Sequence, residues 1–230
     1  MPALAILTAR GGSKRIPRKN IRSFCGKPMI AWPIAAALAS GCFAHVLVST
    51  DDEEIAAVAR ACGAYVPFLR PADLADDFTH AHKAARHMLE WALEKLGTHE
   101  TFAHIYPTAP LLTPENIRAG EAEIQSGNVF AYTAQKLSFP VYQIVGKDAN
   151  GNIFPLFSPD KATLRSQDMP ACYIDAGQLY WFDTSTFLAR ELSITSGATI
   201  IELPPERALD IDTEEDWARA EKMARFLGMC

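Results

Sequence analysis

ALAILTARGGSKRIPRKN, residues 3–20, joins a short apolar run to a glycine-bearing loop that holds five cations and no carboxylate. The apolar part, ALAIL (3–7), has strand length and ends at turn chemistry, so it reads as a buried strand. In an α/β protein, ligands gather where such strands empty into loops. The fold therefore turns on whether further strand–helix units follow.

They do. HVLVST (45–50), AYVPFL (64–69) and FAHIYP (102–107) read as strands, the third weakened by Pro67. Between them, Ala85, Met88, Leu89, Ala92, Leu93 and Leu96 share one helical face, with Lys83, Arg86, Glu90 and Lys95 turned away. Thr50 is expected to cap a helix over 51–62, and Thr113-Pro114 opens another. Gly41 and Gly63 sit where helices should stop. Alternation over the first 125 or so residues predicts α/β architecture with a largely parallel sheet covered on both faces.

Beyond that point VFAYTA (129–134) and YQIV (142–145) are candidate strands, while residues 151–172 show no clean period. GQLYWF (177–182) and TIIEL (199–203) resume the pattern, and Trp217, Ala220, Ala224 and Leu227 mark a final amphipathic helix. Residues 1–230 are expected to form one domain, with 135–172 as an excursion suited to subunit contact.

An apolar fraction of 49% is ample for a core, and the net charge is -5. Yet residues 1–50 contain seven Lys or Arg and no Asp or Glu, which points to a local anion site rather than a nucleic-acid surface. Five scattered cysteines without a CxxC pair argue against a disulfide framework or zinc site and suit a reducing cytoplasm. No stretch approaches a membrane span.

Gly11 and Gly12 allow a sharp turn that brings backbone N–H groups close to phosphate oxygens, and Arg10, Lys14 and Lys19 add charge-assisted bonds to the same anion. The spacing fits neither GxxxxGK[ST] nor GxGxxG; the alternative is a solvated basic turn. Far along the chain, Asp210 and Asp212 in ALDIDTEED are two apart, so on an extended segment they face the same side. Two hard carboxylates beside a phosphate site match Mg²⁺; the alternative is that Asp212 caps the last helix.

TARGGSKRIPRKN (8–20), VSTDDEEIA (48–56), LRPADLADD (69–77), PTAP (107–110) and DIDT (210–213), in that order, resemble the acylneuraminate cytidylyltransferase family over essentially the whole chain. CGKPMI (25–30), RPADLADDFT (70–79) and RSQDMP with YIDAGQLYW (165–181) are most similar to its pseudaminic-acid branch. The resemblance implies a Rossmann-like nucleotidyltransferase fold with a dimerisation arm, a homodimer, and CTP and a nonulosonic acid as substrates with Mg²⁺. It implies that Arg10, Lys14 and Lys19 grip the triphosphate, with Gly12 and Ser13 in the same loop. Asn20, Ala9 and Arg70 would hold the nucleoside, and Asp210 and Asp212 the metal.

Sialic acid members carry Gln where this chain has Tyr106, and an Arg and an Asn where it has Ile174 and Ala176. Losing a bidentate donor and gaining an apolar side chain suits a deoxy, methyl-ended sugar arm. Arg165 is assigned to the sugar carboxylate, and Gln167, Asp175 and Gln178 to hydroxyl or acylamino groups. Asp175-Ala-Gly177 is alternatively a tight turn. Other readings are synthetases for N-acetylneuraminic acid or the eight-carbon sugar of lipopolysaccharide, a nucleic-acid module and a non-catalytic sugar-nucleotide sensor.

Overall fold

The central strand β1 (Ala3–Ala9) pairs in parallel with β4 (Phe43–Thr50) on one side and β5 (Thr101–Ile105) on the other. A computed structural model describes residues 2–74, 81–165, 168–195 and 197–230 of the chain. Its six-stranded sheet has the order β10-β6-β9-β5-β1-β4, completed by β6 (Phe130–Lys136), β9 (Tyr173–Asp183) and β10 (Thr199–Leu203). β10 runs parallel to β6, and only β9 is antiparallel to its neighbours β5 and β6. The expected mostly parallel sheet is present, with one reversed strand inside it.

Alternate residues of β1 serve two cores, as a strand buried on both faces must. Ala3, Ala5, Leu7 and Ala9 pack with residues of α1 (Ala31–Ser40), α2 (Glu53–Ala61) and α4 (Pro114–Gln125). Leu4 and Ile6 meet the apolar face of α3 (Ala81–Lys95), including Ala85, Met88, Leu89 and Ala92, and Phe187 of α6 (Thr184–Ala189). α1 ends at Gly41 in the left-handed region, and Thr113 caps α4 through a capping box with Asn116.

Three local expectations are corrected. α2 is capped by Asp52, whose carboxylate accepts from the Ile55 N–H; Thr50 belongs to β4. Residues 64–69 form two isolated bridges, Leu47–Tyr65 and Thr50–Leu69, because Pro67 between them has no N–H to donate. Residues 141–143 form a 3₁₀ turn, and the strand begins only at Val145: β7 (Val145–Lys147) pairs with β8 (Ile153–Pro155), followed by the short α5 (Pro159–Ala162).

A third apolar cluster ties the chain's ends together. Ile16 from the basic loop, Phe24 of β2 (Ser23–Phe24) and Met29 beyond β3 (Lys27–Pro28) pack with Ile211 and with Trp217, Ala220 and Ala224 of α7 (Glu214–Phe226). The Phe24 and Trp217 rings meet edge-on at 5.5 Å. Burying Ile16 and Ile211 completely contributes roughly 1.5–3 kcal/mol each. The same docking brings Cys25 and Cys230, 205 residues apart, to a Cα–Cα distance of 4.9 Å, where they form a disulfide. That corrects the expectation from cysteine spacing: a link closing nearly the whole chain leaves no local motif. Cys42, Cys62 and Cys172 are free thiols.

Asp52 also anchors the loop from outside. Arg18, in the left-handed region at φ 56°, grips its carboxylate at 2.5 and 3.0 Å and reaches Glu54. The Arg18 guanidinium is the first cause holding Asp52 down to a pKa of about 2. A depressed carboxyl contributes stability above its unfolded pKa and loses it as pH falls through the folded one. Asp52→Asn keeps the cap but removes the charge. Screened by solvent at Arg18, it should cost about 1 kcal/mol at pH 7. The difference in urea midpoint from the parent chain should shrink between pH 4 and pH 2. An unchanged difference across that range would remove the ion pair from the account.

Candidate active site

Beyond β1 the loop is held by its own buried groups, so its cations have a fixed platform. Asn20, 6% exposed, donates its side-chain amide to the Arg10 carbonyl at 2.9 Å. The Gly11 N–H donates to Asp51 Oδ1 at 3.0 Å. A Cβ on Gly11 would lie 2.7 Å from Asp52 Oδ2, an oxygen already held by Arg18. Gly11 is therefore required for close approach to α2's cap, and its N–H serves Asp51 instead of facing an anion, contrary to the sequence reading.

Arg70 enters from the other side of β4. Its buried guanidinium donates to the Ser49 carbonyl at 3.2 Å and pairs with Asp51 at 3.5 Å. Burial pulls its pKa down, the Asp51 charge opposes this, and the Arg10 charge adds to the fall. Arg10 and Arg70 thus bring two like charges to one cleft, an arrangement that favours a shared anion.

The acidic pair arrives on the segment after β10, outside the sheet, and the chain there alternates as the extended segment was expected to. Ile211 points into the third cluster and is fully buried, while Asp210 and Asp212 on either side of it line the cleft. Lys19 Nζ donates to the Ile211 carbonyl at 2.7 Å and lies 3.4 Å from Asp212 Oδ1, which Arg15 also reaches at 2.9 Å. The capping alternative fails for Asp212, because Thr213 caps α7 in a capping box with Asp216. Asp210's carboxyl is pushed up by burial and then by the Asp212 charge, with Lys19 opposing.

These groups line one cleft of about 550 Å³, a volume suited to a nucleotide and a small second substrate. Arg10, Ser13, Lys14, Lys19, Asn20, Arg70, Tyr106, Asp210 and Asp212 all open onto it. Ala9 and Gly12 do not line it, and Ala9 is completely buried. Tyr106 sits beside Tyr180, ring centroids 5.2 Å apart, and its hydroxyl pKa is raised by burial and by Asp175.

The remaining sugar-side residues lie elsewhere. Asp175 accepts from the Gly177 N–H at 2.9 Å and from the Tyr180 hydroxyl at 2.8 Å, so both its oxygens are engaged within the protein; the alternative tight turn is not formed either, because β9 runs without a break through residues 175–177. Gln178 is 1% exposed and donates to the Arg207 carbonyl at 2.6 Å, facing the protein interior and not a substrate. Arg165 and Ile174 are exposed outside the cleft, and Ala176 is buried. Gln167 lies outside the described residues.

Sequence reasoning missed Thr8, Arg15, Thr108 and the first turn of α3, where Ala81 and Ala84 face the cleft. Thr8 bonds the fully buried His104 across β1 and β5 at 2.9 Å, and burial drives that histidine's pKa well down. Arg15 carried a signal, being in the loop. Ala81 carried none, since its place depends on how α3 crosses the sheet.

A family model for cytidylyltransferases matches residues 4–216. The chain belongs to that family. It is 36% identical over 217 residues to a pseudaminic acid cytidylyltransferase of Campylobacter jejuni, covering 94% of this chain and 93% of that one. It is 32% identical over 231 residues to the CMP-N,N'-diacetyllegionaminic acid synthase of Legionella pneumophila, covering 97% and 96% of the two. Among solved structures, CMP:2-keto-3-deoxy-manno-octonic acid synthetase complexed with CTP matches 99% of this chain and 100% of its own. The TM-score is 0.72 at 15% identity, a likeness of fold.

Proposed function

We propose that this cytidylyltransferase transfers CMP from CTP to the anomeric hydroxyl of a nonulosonic acid, pseudaminic acid in first place, and releases pyrophosphate. The observation that carries the reading is that Arg10, Lys14 and Lys19 line the same cleft as Asp210 and Asp212, with Lys19 beside Asp212. In-line attack at the α-phosphorus spreads charge over phosphate oxygens, so catalysis is mostly positioning and electrostatics. Arg10, Lys14 and Lys19 bind those oxygens, and the α3 N-terminus, with no acidic residue in its first turn, adds its dipole. Arg70 and Asn20 hold the nucleoside end, and Tyr106 meets the sugar.

The acidic pair fits magnesium. Two hard carboxylates share the cleft, and burial, followed by the Asp212 charge, raises the pKa of Asp210. Among the described residues no third Asp, Glu, His or Cys joins them, leaving the remaining positions to water and substrate phosphate. Bound there, Mg²⁺ would neutralise phosphate charge. Ile211 fixes the two carboxylates to one side, and Lys19 keeps Asp212 aimed into the cleft.

Incubation with CTP, Mg²⁺ and a panel of nonulosonic acids, following pyrophosphate, tests this. Pseudaminic acid should be turned over fastest. Preference for N-acetylneuraminic acid would overturn the sugar assignment, and CTP-induced stabilisation without turnover of any sugar would favour a sensor.

We further infer that the arm formed by residues 135–172 packs on a second copy of the chain. Phe139, Val145, Ile153 and Leu156 are each more than half exposed there, an apolar surface that water disfavours. Arg165 on the same arm would then reach the partner's cleft instead of its own. Sedimentation should give the mass of two chains, and Ile153→Asp with Leu156→Asp that of one; a monomeric parent chain would sink the inference. No helix among the described residues is long and apolar enough to cross a membrane.

A further inference from the structure

The buried amide of Gln178 stands between the two halves of the proposed site. β9 carries an irregularity there: Tyr132 pairs with Tyr180 and Ala134 with Asp175, so two steps along β6 span five along β9. The excess is absorbed at Gly177, in the left-handed region at φ 64°. It turns the Gln178 side chain towards the segment entering Asp210. Nε2 lies 2.6 Å from the Arg207 carbonyl and 3.4 Å from that of Leu209, and Ala208 between them packs on Ala176 and Leu203. On its main chain, Gln178 accepts from the Tyr106 N–H at 2.8 Å. Asp210's carboxylate rests over Gly177, where a Cβ would come within 3.2 Å of its Cγ.

We propose that Gln178 is a positioning residue that fixes Asp210 relative to Tyr106, and thereby the metal side of the cleft relative to the sugar side. The proposal rests on the nucleotidyl-transfer reading of that cleft. The chemistry is selective. Two carbonyls converge on one group, so that group needs two protons and no charge, which a side-chain amide supplies. A carboxylate would set acceptor against acceptor, and an apolar side chain would leave buried carbonyls unpaired. The amide's orientation is set by those carbonyls, which leaves Oε1 buried with no partner among the described residues.

Gln178→Met keeps length and removes both donors; Gln178→Asn keeps the donors one methylene short. In Gln178→Met, amides of residues 207–211 should exchange hydrogen about tenfold faster, while those of the basic loop are unchanged. kcat should fall about 10–100-fold, the usual scale for a lost orienting contact. CTP affinity measured in EDTA should stay within about twofold, because Arg70, held by the Ser49 carbonyl and Asp51, and Asn20, bonded to the Arg10 carbonyl, lie outside the loosened segment. Gln178→Asn should recover part of kcat. A purely structural role would lower the melting temperature yet leave kcat of the folded enzyme intact. Parental exchange at 207–211, or parental kcat, in folded Gln178→Met overturns the proposal. Failure of CTP to bind the parent chain strikes the nucleotide reading instead, and the exchange measurement still decides whether Gln178 holds Asp210.

Discussion

Asp210→Asn should lower kcat by about a thousandfold at saturating Mg²⁺ and at the same time make the metal-free protein more stable. The two effects share a cause. Asp210's carboxyl is raised by burial and by Asp212, so the folded state disfavours its ionised form. For an acid with a raised folded pKa, ionisation at neutral pH opposes folding, and the neutral amide relieves that cost. In EDTA the variant should bind CTP at least as tightly as the parent, since a negative charge has left the phosphate side of the cleft. It should lose the gain in affinity that Mg²⁺ gives the parent. Melting curves and CTP titrations with and without the metal read all three. A variant with near-parental kcat would remove the acidic pair from the mechanism.

The second large effect is expected at Lys19. Its ammonium is the link between the loop and the acidic segment, bonding the Ile211 carbonyl at 2.7 Å and approaching Asp212 at 3.4 Å. Lys19→Met keeps the aliphatic stem and deletes the charge. kcat/KM for CTP should fall about 100-fold, the scale of one oriented cationic donor at a phosphoryl centre. Folding should survive, because Arg15 still pairs with Asp212 at 2.9 Å and the Ile16–Ile211–Trp217 cluster is untouched. Addition of methylammonium should restore little if the stem's placement matters as much as the charge. A loss smaller than threefold would mean that Arg10 and Lys14 suffice for the triphosphate.

What could be read from the sequence was what depends on neighbours along the chain. β1, β4, β5 and α3 announced themselves by period, and the basic loop by a run of cations with no counter-charge. The two aspartates were legible because extended backbone alternates whether or not it joins a sheet. Long-range register was not legible. GQLYWF announced a strand, but nothing local says that it inserts antiparallel between β5 and β6, or that five residues there oppose two. Gln178 looked like a substrate ligand for that reason: its direction is decided by the irregularity at Gly177, not by its own strand period. Cys25 and Cys230 were unreadable as a pair for a similar reason, since their meeting depends on α7 docking over β2.

That cross-link also sets how the molecule would respond to mechanical load. Every residue from Cys25 to Cys230 lies inside one covalent ring, so tension applied between Met1 and Cys230 of an oxidised chain draws out residues 1–24 before it can lengthen that ring. At full extension they reach about 80 Å. They are also β1 and the cation platform, so the part stretched away is the part proposed to grip phosphate, and on that reading a force too weak to open the ring would already silence the enzyme.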